Sequence, residues 1–308
     1  MPNRMDILIK SLKSLFSPGN EFIQLAKNGK RITHIALAIP LVIVFLFGGI
    51  IIAEGVVFQV LLKNPDIGPV FRELYNLVIS FGLVLILVWI WVRYFEKRPI
   101  KTLGFTKRKF FRSYFEGFFT GMIMLTAVIV LMTLSGTIAF KENTELFTFD
   151  LIGIFVLMLI GYIVQGATEE ILIRGWQFQV IAARYRPWLG AVVSSLMFAF
   201  LHGLNPGVSF LAVINLILFA FLLLFFILYY RNIWAACGWH TAWNWSMENI
   251  YGLKVSGSEG EYSMLNLTSF GPKLLTGGEF GPEGSIYTTM VLLSGILIIL
   301  ILESKKTK

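Results

Sequence analysis

The sequence predicts an all-α fold, a polytopic transmembrane bundle of about eight helices, and three observations carry that expectation. Hydrophobic residues make up 56% of the chain and charged residues only 14%, with a mean hydropathy of +0.74, far from the averages of soluble domains. Apolar stretches of about 20 residues, enough to cross a hydrocarbon core of roughly 30 Å, recur between short polar interruptions. They are too long and too continuously apolar for barrel strands, whereas a helix satisfies its own backbone in lipid.

The chain divides into a cytoplasmic amphipathic segment, 1–31, and one membrane-embedded helical domain, 32–304. In the first, Ile7, Leu8, Leu12 and Leu15 recur at helical spacing opposite Lys10 and Lys13, and Ser17-Pro18-Gly19-Asn20 is a stop. A helix lying on the membrane face is expected. The spans follow near 35–61, 73–93, 114–135, 150–170 running on toward 184, 188–204, 208–229, 233–250 and 286–302. Glu54, late in the first span, reads as interfacial, and so does His34 beside Lys30 and Arg31. Residues 251–285, rich in glycine and acidic side chains, read as a lid or a solvated loop.

The net charge of +8 is distributed by topology. If eight spans alternate, the basic groups at 4–31, 93–112, 184–186, 231 and 305–308 share one side, while Lys63, Arg72, Lys141, Lys254 and Lys273 take the other. The positive-inside rule then makes both termini cytoplasmic, and the size and charge bias point to a bacterial plasma membrane. The lipid bilayer is the partner of these charges, and no aromatic-interleaved basic surface for nucleic acid is present. The single cysteine, Cys237, excludes an intramolecular disulfide and reads as a small packed hydrophobe. The first span is expected to stay as an anchor, with no cleaved leader.

Against this background the ionisable and amide residues within the spans are costly, and such groups mark a functional site by default. Glu169-Glu170-Ile171-Leu172-Ile173-Arg174 sits in the fourth span, His202 in the fifth, His240 and Asn244 in the seventh. If the fourth helix continues to Arg184, Glu169 lies about 15 residues, roughly 22 Å, from the turn at Tyr185-Arg186-Pro187. His202 lies about 14 residues, roughly 21 Å, along the next span, so the two meet at matching depth. His240 is only some 13 Å past Arg231, a gap that a tilt or break at Gly238 would close.

Residues four apart share a helix face, so Glu170 pairs with Arg174, His240 converges with Asn244, and Phe198 lies one turn before His202. Glu169, about 100° around the helix, is left to face a cavity. A carboxylate and an imidazole suit activation of water, and an imidazole with a carboxamide suits the oxyanion formed when water attacks an amide. Two histidines and two glutamates could instead hold zinc, although Asn244 is a poor zinc ligand and no local His-Glu-x-x-His is present. A Cys237–His240 nucleophile, a hydrogen-bonded cluster that only pins helices, and a proton-coupled transporter are the other readings.

Glu169-Glu170-x-x-x-Arg174, Phe198-x-x-x-His202 and His240-x-x-x-Asn244, in this order on three hydrophobic segments, resemble the signature of the CPBP intramembrane proteases. That family includes the type II CAAX prenyl endopeptidases and bacteriocin-immunity relatives. The resemblance covers residues 150–250. It implies an intramembrane endopeptidase in which Glu169 and His202 activate water, His240 and Asn244 stabilise the oxyanion, and Glu170 and Arg174 shape the site, with no cofactor. The substrate would be a membrane-associated protein or peptide; the alternative is a non-catalytic immunity or scaffold protein on the same fold.

Overall fold

Nine helices carry the fold in the computed structural model, which describes residues 4–58, 68–106, 109–141, 149–260 and 262–306. They are α1 (Arg4–Leu15), α2 (Ile35–Gly55), α3 (Val70–Phe95), α4 (Phe110–Leu134), α5 (Ile152–Arg184), α6 (Pro187–Leu204), α7 (Phe210–Tyr230), α8 (Trp234–Trp245) and α9 (Ile286–Lys306). Residues 59–61 of the expected first span, with Lys63, Lys107, Arg108, Glu261 and Lys308, lie outside the described residues. Among the described residues seven helices, α2–α7 and α9, are long and apolar enough to cross a membrane, one fewer than expected. The exception is α8, only 12 residues long before five wider π-type residues, Ser246–Ile250. Every residue from Ala235 to Asn244 is buried, so this central helix is walled by protein and need not match lipid in length or polarity.

The helices α2–α9 nevertheless alternate in direction. At one end Ser14 Oγ donates to Glu303 at 2.7 Å, Arg184 Nη1 to the Ile32 carbonyl at 2.6 Å and Trp234 Nε1 to the Thr106 carbonyl at 2.9 Å. Arg231 and Lys306 also lie at this end, Arg231 Nη1 donating to Glu21 at 3.0 Å and Lys306 Nζ to the Tyr229 carbonyl at 3.1 Å. At the other end the Tyr75 hydroxyl donates to the Ala53 carbonyl, and Asn205 Nδ2 to the Ser256 carbonyl. The first and last helices therefore start and finish on the same side of the bundle. Helix α1 does not lie on lipid alone: Ser11, Leu15 and the following Phe16 are buried, and Phe16 stacks on Trp188 at 3.9 Å. His34 caps α2 by accepting from the Ala36 amide, and Glu54 is exposed near the end of α2.

A buried cluster clamps the basic end onto α5. Glu96 accepts from Arg98 Nε at 2.6 Å, Trp176 Nε1 at 3.0 Å and the Thr33 hydroxyl at 2.5 Å, while Arg98 Nη1 donates to Gln179 at 2.6 Å. Burial lowers the pKa of Arg98 below the usual guanidinium range, and the adjacent Glu96 carboxylate opposes that shift.

Glycine brings α8 against its neighbours. A Cβ on Gly117 would collide with the Ala235 carbonyl, and one on Gly121 would come to 2.5 Å of the Trp239 carbonyl. Small residues four apart let two backbones approach closely, a stronger device in lipid than apolar side chains alone. Gly238 serves the same packing from α8, against the Tyr114 carbonyl. It is not a break, since α8 is continuous through it. Replacing Gly117 by valine is expected to separate α4 from α8 and lower the thermal midpoint in detergent by several degrees, roughly the effect of 1–3 kcal/mol of overpacking.

Residues 251–285 form a packed cap and not a free loop. Strand β2 (Leu267–Ser269) pairs antiparallel with β1 (Ile138–Phe140), Ile138 facing Ser269. Glu283, buried, accepts from Trp243 Nε1 at 3.1 Å and from the Ser256 amide and hydroxyl at 2.6 and 2.7 Å. Asn215 of α7 donates to the Glu283 and Ser285 carbonyls.

Candidate active site

The three sequence motifs converge on one cavity of about 230 Å³, lined by Gln165 and Glu169 from α5, Phe198 and His202 from α6, Phe219 from α7, and His240 and Asn244 from α8. The cap closes its far end through Val255, Ser256, Ser258 and Glu283. The depth mismatch expected for His240 is absent because α8 starts inside the bundle. Asn232 and Ile233 are buried, and the Ile233 amide donates to the Gly104 carbonyl of the 96–106 connection. The helix thus begins below the end of α7. Gly166 lets α5 approach to where a Cβ would lie 3.4 Å from that of His240.

Glu169 and Glu170 take the separate faces expected from helix geometry. Glu170, fully buried, receives Arg174 Nη1 at 2.9 Å, and its same oxygen meets His240 Nδ1 at 2.9 Å. A carboxylate only accepts, so His240 carries its proton on Nδ1. Nε2 then points toward Glu169 Oε2 at 3.8 Å. The guanidinium of Arg174 lies over the Phe198 ring, 4.3 Å from its centroid, a cation–π contact that replaces the lost hydration of a buried cation. Phe198 therefore supports Arg174 as well as packing on His202 at 4.5 Å.

Wide π-type turns over Ile171–Phe178 follow the glutamates directly, a backbone irregularity frequent at functional sites. His202 sits where α6 tightens into a final 3₁₀ turn, His202–Leu204, and its Nδ1 lies 2.9 Å from the Phe198 carbonyl. That carbonyl also only accepts, so Nδ1 bears the proton and Nε2 of the neutral ring keeps its lone pair. His240 is walled by aromatic edges, with the Phe219 centroid at 5.1 Å.

One residue of the site is absent from the sequence motifs. Gln165 Nε2 donates to Glu169 Oε1 at 2.5 Å, while its Oε1 accepts from Asn244 Nδ2 at 3.1 Å. It links the α5 carboxylate to the α8 carboxamide and fixes the orientation of both. The signal was available: an amide one helical turn before Glu169, on the same face of an otherwise apolar segment. Glu169 Oε2, by contrast, is buried with no hydrogen-bond partner among the described residues.

Cys237 is buried on α8, and Glu170 rather than the thiol engages His240. Among the described residues no group of three or more His, Cys, Asp or Glu side chains is arranged to hold a metal ion.

The segment carrying this geometry, residues 151–246, matches the family described as "Type II CAAX prenyl endopeptidase Rce1-like". Over this segment the chain is similar to the CPBP proteases. The Rce1-like match begins near the start of α5 and ends just past α8, so it spans the helices that bear Glu169, His202, His240 and Asn244. The match supports protease chemistry in a membrane-embedded bundle at the level of that family. No curated protein matches the chain.

Proposed function

We propose that this chain is an intramembrane endopeptidase that hydrolyses a peptide bond of a membrane-associated substrate with a water activated by Glu169 and His202. The observation that supports it best is the convergence of both residues on one cavity, with Glu169 Oε2 accepting no hydrogen bond from the described residues and the His202 tautomer presenting a lone pair at Nε2. Water between these groups loses its proton to the carboxylate as its oxygen attacks the carbonyl carbon. The protonated glutamate then returns that proton to the leaving amine.

Negative charge on the carbonyl oxygen is met from α8. Asn244 has two amide N–H groups and gives one to Gln165, leaving the second for the oxyanion. His240 contributes through Nε2–H when its ring holds both protons, with Glu170 and Arg174 keeping the ring in place. On this reading no metal takes part. Protein stripped by a chelator and shown metal-free by elemental analysis is expected to cleave at the untreated rate; loss on chelation with recovery on zinc would reverse the assignment.

Gln165 is expected to matter without touching substrate. Gln165→Leu releases both Glu169 Oε1 and the Asn244 amide, and misplacement of about 1 Å costs roughly 10²-fold in kcat. The check is kcat against KM on a fluorogenic peptide, with kcat carrying the loss. By the positive-inside rule the basic end faces the cytoplasm, with both termini there, in a bacterial plasma membrane. Reporter fusions at each terminus test the orientation.

A further inference from the structure

The basic end of the bundle carries a pocket of about 530 Å³, between the start of α2 and the ends of α3 and α5. Lys30, Arg31 and Arg184 line it together with His34, and no acidic residue does. None of the three cations forms a salt bridge among the described residues. Glu96 is adjacent, its carbonyl accepting from the Lys30 and Arg31 amides at 3.0 and 3.2 Å. Its carboxylate, however, is buried beneath with Arg98, Trp176 and Thr33.

The donors are held in position. Arg184 Nη1 is fixed on the Ile32 carbonyl, and the Arg31 guanidinium lies over the Phe95 ring, 5.4 Å from its centroid. A guanidinium stacked by its face keeps its N–H edge free, the edge that a phosphate accepts in bidentate fashion. His34 takes the Ala36 amide on Nδ1, so its neutral ring carries a proton on Nε2 as a further donor. A different cationic pocket at this end is the contrast: Lys10, Lys13 and Arg231 share it with Glu21 and Glu303, and Arg231 pairs with Glu21. There the charge is met from within. At Lys30, Arg31 and Arg184 like charges face one another, a repulsion that a bound anion relieves.

We propose that this pocket binds the headgroup phosphate of one anionic phospholipid from the leaflet at the basic end, the acyl chains lying along α2. The apolar lining selects a lipid over a soluble phosphate. Ile32, Leu37 and Phe95 supply it, and Leu37 continues down α2 into Val44 and Ile51, all exposed and spaced seven apart on one face. Tyr185, exposed and edge-on to His34, stands beside the pocket as aromatic residues do at a membrane interface. A zwitterionic lipid carries its own cation beside the phosphate, and that cation meets three like charges here. The site is independent of the hydrolytic reading.

The test is native mass spectrometry of delipidated full-length protein in non-ionic detergent, titrated with phosphatidylglycerol or with phosphatidylcholine of the same acyl chains. The first phosphatidylglycerol is expected to bind about tenfold more tightly than phosphatidylcholine, and to raise the thermal midpoint. That preference is expected to fall to about twofold or less when Lys30, Arg31 and Arg184 are all replaced by glutamine. It is expected to persist when Lys10, Lys13 and Arg112, exposed cations of the same end, are replaced instead, an equal change in charge. Lys30→Gln alone changes a side chain with no hydrogen bond among the described residues, and is expected to weaken phosphatidylglycerol binding by about threefold. It reads the site even if the triple variant folds poorly.

Equal binding of the two lipids by wild-type protein, or Lys30→Gln binding phosphatidylglycerol as wild type does, overturns the site. Equal losses in the two triple variants also overturn it, leaving only a diffuse attraction of the basic end. Inorganic phosphate is the last arm. A rise in thermal midpoint matching that given by phosphatidylglycerol at equal concentration, and lost in Lys30→Gln, makes the occupant a soluble phosphate and refutes the lipid.

Discussion

Replacement of Glu169 by glutamine is expected to lower peptide cleavage by about 10²- to 10⁴-fold, the contribution of a positioned general base. The change is isosteric, and glutamine still accepts the Gln165 hydrogen bond through its carbonyl, so the helix contacts survive. What is lost is an oxygen able to take a proton. The fall is expected in kcat with little change in KM, because the carboxylate acts on water and not on the bound peptide. His202→Ala is expected to show a loss of the same kind. The two together should lose less than the product of the single losses, since both groups act on one water. Near-wild-type turnover in Glu169→Gln would remove the glutamate from the chemistry.

Replacement of Arg174 by methionine is expected to be the most destabilising single change in the site, by about 3–5 kcal/mol, the cost of leaving one partner of a buried ion pair uncompensated. Arg174 and Glu170 are 1% and 0% exposed and meet at 2.9 Å. With the guanidinium gone, His240 Nδ1 is the one hydrogen-bond donor left to Glu170 among the described residues. Because the same Glu170 oxygen also holds His240 Nδ1, the loss spreads into the oxyanion side of the site. A paired control separates charge from packing: Glu170→Gln with Arg174→Met removes both charges and is expected to recover a large part of the lost stability, though not of the activity. Thermal unfolding in detergent reads the first quantity and peptide cleavage the second. If the double variant is no more stable than Arg174→Met, Phe198 packing and not charge is what Arg174 supplies.

What could be read from the chain alone was local. Four-residue spacing put Glu170 with Arg174 and left Glu169 toward the cavity, because both relations lie within one helix. That Glu169 and His202 could line one cavity also followed, since only one tight turn at Tyr185–Arg186 separates their helices and helix rise is constant. Features set by distant contacts were not legible. The sunken start of α8 depends on Ile233 meeting Gly104, more than a hundred residues earlier, and this removes the need for a break at Gly238. The cap over 251–285 depends on β1, before α5, pairing with β2, before α9. The length of α8 misleads in the opposite sense. Burial on every side frees it from the span length that lipid imposes, so its crossing is seen only from the ends it joins.

Gln165 falls between these cases. Its position on the Glu169 face was legible, but its second bond, to Asn244, required knowing which face of α8 meets α5. Gly166 settles that contact by allowing the close approach, and a glycine in an apolar helix does not announce its partner.

Hydrolysis itself is tested most directly by incubating the purified protein in liposomes with a randomised library of membrane-associated peptides in ¹⁸O-labelled water, followed by mass spectrometry of the products. The expected result is new carboxyl termini carrying one ¹⁸O atom, formed by wild-type protein and lost in both Glu169→Gln and His202→Ala. An intact library in the presence of folded wild-type protein, or labelled products formed equally by Glu169→Gln, would contradict the central claim.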